Sequence, residues 1–324
     1  MSWFEPTILF LILYAFQIRK FEKGWDALPR FTEQNNECIS IVVAARNEGE
    51  NIGDLLTDLS KQTYENLEVI VVDDHSSDDT AKIVDSFPNV VLLRASQEGK
   101  KAAISEAVEA AKHTIILTTD ADCRLSTTWV EKMVAPFTNK QISLAVGPVA
   151  FQEEESDFEK AQSLEFISLI TSGAGAIGAK QAFMCNGANL AFRKINYATV
   201  DTDKASGDDV FLLHHAKKNG SEIVFVKERE AIVFTSPKED IHSLLEQRKR
   251  WAAKSSDYQD KDAKRISWIV FLSNLCLLLL LFTGTWREVF IAFVLKAIID
   301  YSILKKAVKF FQKEDIFHYF YPIQ

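Results

Sequence analysis

Apolar and polar positions alternate in three different rhythms along the chain. From Thr7 to Ile18 the residues are almost wholly apolar (TILFLILYAFQI), interrupted at Gln17 and followed at once by Arg19, Lys20 and Lys23. A second run, Trp268 to Gly284 (WIVFLSNLCLLLLLFTG), carries no charge over 17 positions, the short end of the roughly 17–25 residues that cross a bilayer. Its five consecutive leucines do not fit an ordinary amphipathic core helix. A third run, Val289 to Leu304, holds Lys296 and Asp300 four residues apart, on one helix face where they can pair. These runs predict an N-terminal transmembrane anchor over residues 1–20 and a transmembrane helical hairpin over 268–304. A cleavable signal peptide fits the first run less well, because the charges come after the apolar stretch and no small-residue cleavage site succeeds it.

Between about Cys38 and Trp251 the rhythm is strand, then helix, repeated. Ile39–Ala45 (ISIVVAA), Leu67–Val72 (LEVIVV), Val90–Leu93 and Thr114–Thr119 (TIILTT) read as buried strands. Asn47–Gln62, with Ile52, Leu55, Leu56 and Leu59 at helical spacing, Thr80–Phe87 and Lys101–Ala111 read as helices. Near-continuous β-branched runs alternating with helices predict an α/β fold, a mostly parallel sheet covered by helices. Ligands of such sheets bind beyond the carboxyl ends of the strands.

Charge adds an orientation. Lys254, Lys261, Lys264 and Arg265 precede the second apolar run, Lys305, Lys306, Lys309 and Lys313 come after the third, and Arg287 is the only basic residue between them. With Arg19, Lys20 and Lys23 behind the first run, the positive-inside rule gives one topology: outer N-terminus, cytosolic middle, hairpin, and a cytosolic tail over 305–324. The abrupt aromatic ending FHYFYPIQ raises the expectation of a natural chain that continues into another span. A net charge of −8 gives no case for nucleic acid as a partner. Hydrophobic residues at 47% rule out wholesale disorder. The cysteines, Cys38, Cys123, Cys185 and Cys276, are too scattered for a zinc site or a disulfide framework and read as reduced thiols.

The segments just past the strands are acidic: Arg46-Asn47-Glu48 after the first, Asp73-Asp74-His75-Ser76-Ser77-Asp78-Asp79-Thr80 after the second, and Asp120-Ala121-Asp122 after the fourth. Neither G-x-G-x-x-G nor G-x-x-x-x-G-K-[ST] occurs, so the common dinucleotide and P-loop fingerprints are absent. Two aspartates flanking one residue at a strand end can converge on a hard divalent cation, Mg²⁺ or Mn²⁺, which bridges readily to phosphate oxygens. Ser76, Ser77 and Asp78 have the composition of a cap for the helix near Thr80.

SIVVAARNEGENI, VIVVDDHSSDDT, EGKKAAISEAV, LTTDADCRL, GANLAFRK, SGDDVFLL and QRKRW occur in that order. Together they resemble family 2 glycosyltransferases of the GT-A fold, especially the membrane-bound cellulose, chitin, hyaluronan and poly-N-acetylglucosamine synthase group. The resemblance covers about residues 38–255, the expected cytosolic catalytic domain. It implies that Ala45, Arg46 and Glu48 line the nucleotide pocket, that Asp73 and Asp74 contact base or ribose, and that Lys100 lies near the diphosphate. Asp122 and Asp120 would hold the metal. Asp209 would be the general base taking the acceptor proton, and Gln247, Arg250 and Trp251 would form the Q-x-x-R-W element. On a helix those three share a face; Arg250 can bridge phosphate oxygens and Trp251 offers a platform for a sugar ring. Asn189, in Asn186-Gly187-Ala188-Asn189, would line the acceptor side. The chain departs from the family pattern at His75, where relatives usually have glycine, and at Asp208, where they usually have glutamate.

The expected function is therefore an inverting, metal-dependent transferase in the cell membrane. It would move sugar from a nucleotide-sugar, UDP-sugar by preference, to a hydroxyl of a glycan or glycolipid acceptor in cell-envelope polysaccharide synthesis. A single-transfer enzyme on a lipid-linked acceptor, a silent membrane scaffold and a nucleotidyltransferase are the rival readings. Three spans are few for a conduit, which points to short products or to a membrane or export partner protein.

Overall fold

A computed structural model describes residues 3–197, 208–255 and 258–321. Helix α1 (Phe4–Asp26) comes first. Then β1 (Ile39–Ala45), α2 (Ile52–Ser60), β2 (Leu67–Asp73), α3 (Thr80–Asp85), β3 (Val90–Arg94), α4 (Lys100–Ala110) and β4 (Ile115–Thr118) alternate. Next come α5 (Trp129–Val134), β5 (Ile142–Val146), β6 (Val149–Phe151), α6 (Asp157–Gly178), β7 (Leu190–Arg193), α7 (Lys194–Tyr197), α8 (Asp208–Lys218), β8 (Glu222–Phe225), β9 (Val233–Thr235) and α9 (Ile241–Ser255). Helices α10 (Lys261–Thr283), α11 (Trp286–Phe311) and α12 (Glu314–Phe320) complete the order. The chain divides into a sheet unit, Pro29–Glu154 with Met184–Arg250, and a helical unit, Met1–Leu28 with Glu155–Phe183 and Trp251–Gln324.

In the sheet unit seven strands lie in the order β3-β2-β1-β4-β7-β5-β8, and all neighbours are parallel except at β7, which runs antiparallel to β4 and β5. Apart from half-buried Leu67, the β-branched and leucine side chains of β1, β2 and β4 are buried, as expected of apolar strands covered on both faces. β6 and β9 form a separate parallel pair, and Arg124 adds an antiparallel bridge to Phe234 of β9. Helix α2 buries Ile52, Leu55, Leu56 and Leu59, the face read from their spacing. It starts five residues later than its periodicity suggests, at Ile52 rather than Asn47. Asn47 stands at φ 55°, and the next two amides leave the helical pattern: Glu48 N donates to Thr80 Oγ1 at 2.8 Å and Gly49 N to Asp78 Oδ2 at 2.9 Å.

The helical unit claims a segment that the sequence pattern assigns to the sheet domain. Helix α6, with a Ser156–Glu159 capping box at its start, packs in this unit against α1 rather than extending the α/β pattern. Glycines permit the approach. A Cβ on Gly24 would lie 2.0 Å from the Gly175 carbonyl oxygen, and one on Gly178 would lie 2.1 Å from that of Gly24, so the two backbones touch as in small-residue helix pairs.

Helix α1 is also a working member of the bundle rather than a lone anchor. Thr7 Oγ1 donates to Cys276 O at 3.2 Å, Ser273 Oγ to Phe10 O at 3.2 Å, and Tyr14 Oη to Asp300 Oδ1 at 2.6 Å. Gln17 meets Gln181. Positions 7, 10, 14 and 17 fall on one helix face and bind three stretches of chain: α10 at 7 and 10, α11 at 14 and the segment after α6 at 17. Lys296 and Asp300 pair as their spacing predicts, and Lys296 sits 4.6 Å over the Tyr14 ring. Among the described residues one helix, Lys261–Thr283, is long and apolar enough by itself to cross a membrane; α1 and α11 carry charges within their length.

Candidate active site

The carboxyl ends of β1, β2 and β4 gather the acidic loops. Ala45, 1% exposed, closes β1, and Asp74 N donates to its carbonyl oxygen at 2.8 Å. Asp73 is buried: Arg94 Nη1 reaches its Oδ2 at 3.1 Å and Ser76 N its Oδ1 at 3.3 Å. Asp74, also buried, accepts Gly99 N on both oxygens at 2.9 and 3.1 Å, with Arg46 Nη1 3.9 Å away. Its backbone and carboxylate thus link the ends of β1 and β2 to the loop that presents Lys100. His75 lies at φ 58° with Nδ1 3.3 Å from Asp74 Oδ1. Asp78 does bond Thr80 N, at 3.0 Å, as a cap would, but it also holds Gly49 N, and Ser76 Oγ accepts Asn47 N at 3.0 Å. These bonds therefore fasten the segments after β1 and β2 to each other besides starting α3.

Lys100 is the hub of the charged cluster. Its Nζ lies 2.6 Å from Asp120 Oδ1. Desolvation by the surrounding protein pulls the ammonium toward neutrality, but Asp120, with Asp209 and Asp122 farther off, overcomes that and holds its pKa above the usual lysine range. Asp122 is oriented from β9, where Thr235 Oγ1 donates to its Oδ2 at 3.2 Å. Glu48 completes the acidic wall. Burial raises its pKa, the hydrogen bond from Asn51 opposes this, and the charges of Asp122, Asp120 and Asp78 raise it further.

Asp209, at the start of α8, is tied to the end of β4 through Gly187. Thr118 Oγ1, at the end of β4, donates to Gly187 O at 2.9 Å, and Gly187 N donates to Asp209 Oδ2 at 3.0 Å. A carboxylate offers about four lone-pair sites, so these bonds orient Asp209 while leaving acceptor capacity. Burial, with Asp209 nearby, pushes the Cys185 thiol well above its ordinary pKa, so it is not a rival nucleophile. All four cysteines are free.

The residues fit a divalent cation. Among the described residues no three His, Cys, Asp or Glu side chains form a complete ligand set, but Asp120 and Asp122 offer hard carboxylate oxygens at one strand end. Glu48, Asp120 and Asp122 add like charge at this strand end that a cation would offset, and phosphate oxygens can supply the remaining ligands, as Mg²⁺ commonly requires.

Two expected site residues are held by neighbouring groups of the sheet unit, and three share one helix. Asn189 is fully buried: Trp129 Nε1 donates to its Oδ1 at 3.0 Å, and its Nδ2 donates to Pro148 O at 2.7 Å and Ala231 O at 2.8 Å. With its amide saturated inside the domain, it braces the framework rather than lining an acceptor surface. Asp73 is held by Arg94 and Ser76. Gln247, Arg250 and Trp251 share helix α9, which passes from the sheet unit, ending at Arg250, to the helical unit, beginning at Trp251; Trp251 is 37% exposed. The Asp208 side chain lies outside the described residues. Sequence patterns give no sign of Arg94, Thr235 and Thr118, whose roles come from strands distant in sequence and carry no local signature.

An α/β sheet with an Asp-x-Asp at one strand end and a lysine paired to it is a GT-A-like arrangement. Residues 40–199 match the Glycosyl transferase family 2 model: the chain is a glycosyltransferase carrying a family 2 domain. Over 321 residues it is 26% identical to a poly-β-1,6-N-acetyl-D-glucosamine synthase of Staphylococcus epidermidis, an alignment covering 92% of this chain and 76% of that protein. In structure it resembles a mannosyltransferase of Pyrobaculum calidifontis solved with GDP-Man and Mn²⁺, at TM-score 0.61 and 17% identity, over 99% of this chain and 96% of that one. Glucosyl-3-phosphoglycerate synthase of Mycobacterium tuberculosis, with Mn²⁺, UDP and product, aligns at TM-score 0.50 and 15% identity, over 79% of this chain and 83% of that one. At such identities the structural likenesses speak for the fold alone.

Proposed function

We propose that the protein is an inverting, metal-dependent glycosyltransferase of the membrane, moving sugar from a nucleotide-sugar, UDP-sugar first, to a hydroxyl of a cell-envelope glycan or glycolipid. The observation that carries this reading is the Lys100–Asp120 pair, 2.6 Å apart just past β4, with Asp122 two residues on and Asp209 bonded to Gly187, whose carbonyl oxygen accepts from Thr118 at the end of β4. Ala45, Arg46, Glu48 and the Asp74-held loop form the donor side, and Lys100 faces the diphosphate. Mg²⁺ or Mn²⁺ on Asp122 and Asp120 would supply Lewis-acid neutralisation of the departing nucleoside diphosphate. Asp209 takes the acceptor proton as the hydroxyl oxygen bonds to the anomeric carbon and the bond to the β-phosphate breaks, one displacement that inverts the centre.

Bilayer residence is supported by the apolar surface of the helical unit. Leu9, Ile12, Leu13 and Phe16 on α1, Phe271 and Phe282 on α10, and Phe290 and Ile298 on α11 are exposed, far more than a water-facing bundle tolerates. The polar side chains of α1 and α11 turn to one another, as intramembrane polar groups do. We read α1, α10 and α11 as membrane-embedded, with the sheet unit on the cytosolic side given by the basic residues that flank them.

The test is nucleoside-diphosphate release by the detergent-purified protein. UDP-, GDP- and dTDP-sugars are offered with Mg²⁺ or Mn²⁺, beside Asp122→Asn and Asp209→Asn. Expected is metal-dependent release from one donor, reduced roughly 10²–10⁴-fold in Asp209→Asn while donor binding persists, and lost with metal response in Asp122→Asn. Turnover indifferent to chelator, or undiminished in both variants, would reject this site.

A further inference from the structure

At one end of the helical unit, cations from two helices converge on a single neutral oxygen. Gln181 comes after α6 through a left-handed turn: Lys180 stands at φ 58°, its N donates to Ile177 O at 2.9 Å, and Gln181 N donates to Ala176 O at 2.8 Å. These bonds fix where the carboxamide points. In the orientation that satisfies its neighbours, the Gln181 oxygen receives Arg265 Nη2 at 2.9 Å and Lys20 Nζ at 3.3 Å. Gln17, 4% exposed, meets the same amide from α1. Arg265 also reaches Asp262 Oδ1 at 3.0 Å. Among the described residues that is the one carboxylate paired with either cation, so the cluster keeps a net positive charge.

The level of this cluster along the helices is informative. Lys20 comes just after the apolar run of α1, whose exposed Leu13 and Phe16 lie on one side of it. Arg265 comes just before the apolar run of α10, which continues through exposed Trp268 and Phe271. Phe21 and Phe183 stack at 5.8 Å and pack with Ile18 and Ile266. Both cations therefore mark the border between an apolar belt and a polar end, the level at which lipid phosphates lie. A guanidinium and an ammonium held on one carbonyl can each turn a further N–H toward a phosphate oxygen.

We propose that Lys20, Arg265 and Gln181 bind the phosphate of a membrane lipid, either an anionic phospholipid headgroup or the phosphate of a lipid-linked acceptor. The inference rests on the reading of the helical unit as membrane-embedded. That reading is tested separately by alkaline carbonate washing of membranes, where release of the wild-type chain would remove it.

The site itself is tested by native mass spectrometry of the full chain in detergent, titrated with dioleoyl phosphatidylglycerol or dioleoyl phosphatidylcholine. Wild type should retain one phosphatidylglycerol in preference to phosphatidylcholine. Lys20→Gln with Arg265→Gln should weaken retention roughly tenfold or more, whereas Lys261→Gln with Lys264→Gln, equal in charge removed, should leave it unchanged. Gln181→Ala, which keeps both charges, should lower retention and guards against misfolding of the double variant. Farnesyl phosphate distinguishes the sources: if it displaces phosphatidylglycerol, the site accepts a lipid-linked acceptor's phosphate, and if it does not, the site is a headgroup site. Equal loss in the two double variants, or no preference for the anionic lipid, overturns the proposal.

Discussion

Replacing Asn189 by alanine separates a framework role from a substrate role. The side chain is buried and its amide makes three hydrogen bonds, from Trp129 Nε1 and to the carbonyl oxygens of Pro148 and Ala231. Pro148 O also receives Val233 N at 3.0 Å, so it keeps a partner after truncation. Two groups are left stranded, the Trp129 N–H and the Ala231 carbonyl. A buried unsatisfied polar group costs roughly 1–3 kcal/mol, giving about 4 kcal/mol for the pair. For a unit of this size that corresponds to about 8–16 °C in Tm. Thermal unfolding of the detergent-purified chain measures the loss, and nucleotide release below the melting range measures what survives. The expected outcome is a large fall in Tm with activity per folded molecule unchanged. An unchanged Tm with a raised acceptor KM would show that Asn189 faces substrate and would refute the reasoning.

The packing and charge of the two units carry two further expected outcomes. Gly24→Ala drives a Cβ to 2.0 Å from Gly175 O and should destabilise by about 1–3 kcal/mol. Gly53→Ala, whose new Cβ meets only Ile83 Cγ2 at 3.6 Å, should stabilise by about 0.5–1 kcal/mol; Tm values of both variants check the contrast. Burial works against ionisation of Asp58, but hydrogen bonds from Arg124 and Leu125 N, with the Arg124 charge, outweigh it and lower its pKa. A carboxylate with a depressed folded pKa contributes stability above its unfolded pKa and loses it as pH falls through the folded value. Asp58→Asn should therefore lower Tm at neutral pH and flatten the acid side of a Tm-against-pH curve, where an unchanged curve would show that the Arg124 clamp is energetically idle.

The strands and the acidic segments that come after them were legible in sequence because their causes are local. Ile39–Ala45 is too continuously apolar to be anything but a covered strand, and the apolar spacing of Ile52, Leu55, Leu56 and Leu59 fixes the buried face of α2. Asp120 and Asp122 announce themselves by standing one residue apart at a strand end, as do Lys296 and Asp300 by standing one helical turn apart. What sequence could not show was which polar groups meet across the fold. Asn189 is bound by Trp129, 60 residues away, and Asp122 by Thr235, 113 residues away; no local period encodes either pairing. The same limit hid the placement of α6 and the bundle role of α1. A glycine becomes a helix crossing only when its partner's glycine is brought opposite it, and Thr7, Tyr14 and Gln17 become a polar seam only when α10, α11 and the segment after α6 supply the other half. Sequence determined which segments bury apolar surface and which carry charge, because those depend on each residue's own transfer free energy. Tertiary structure decided which buried polar group satisfies which, because an unpaired one is costly and its partner can come from any part of the chain.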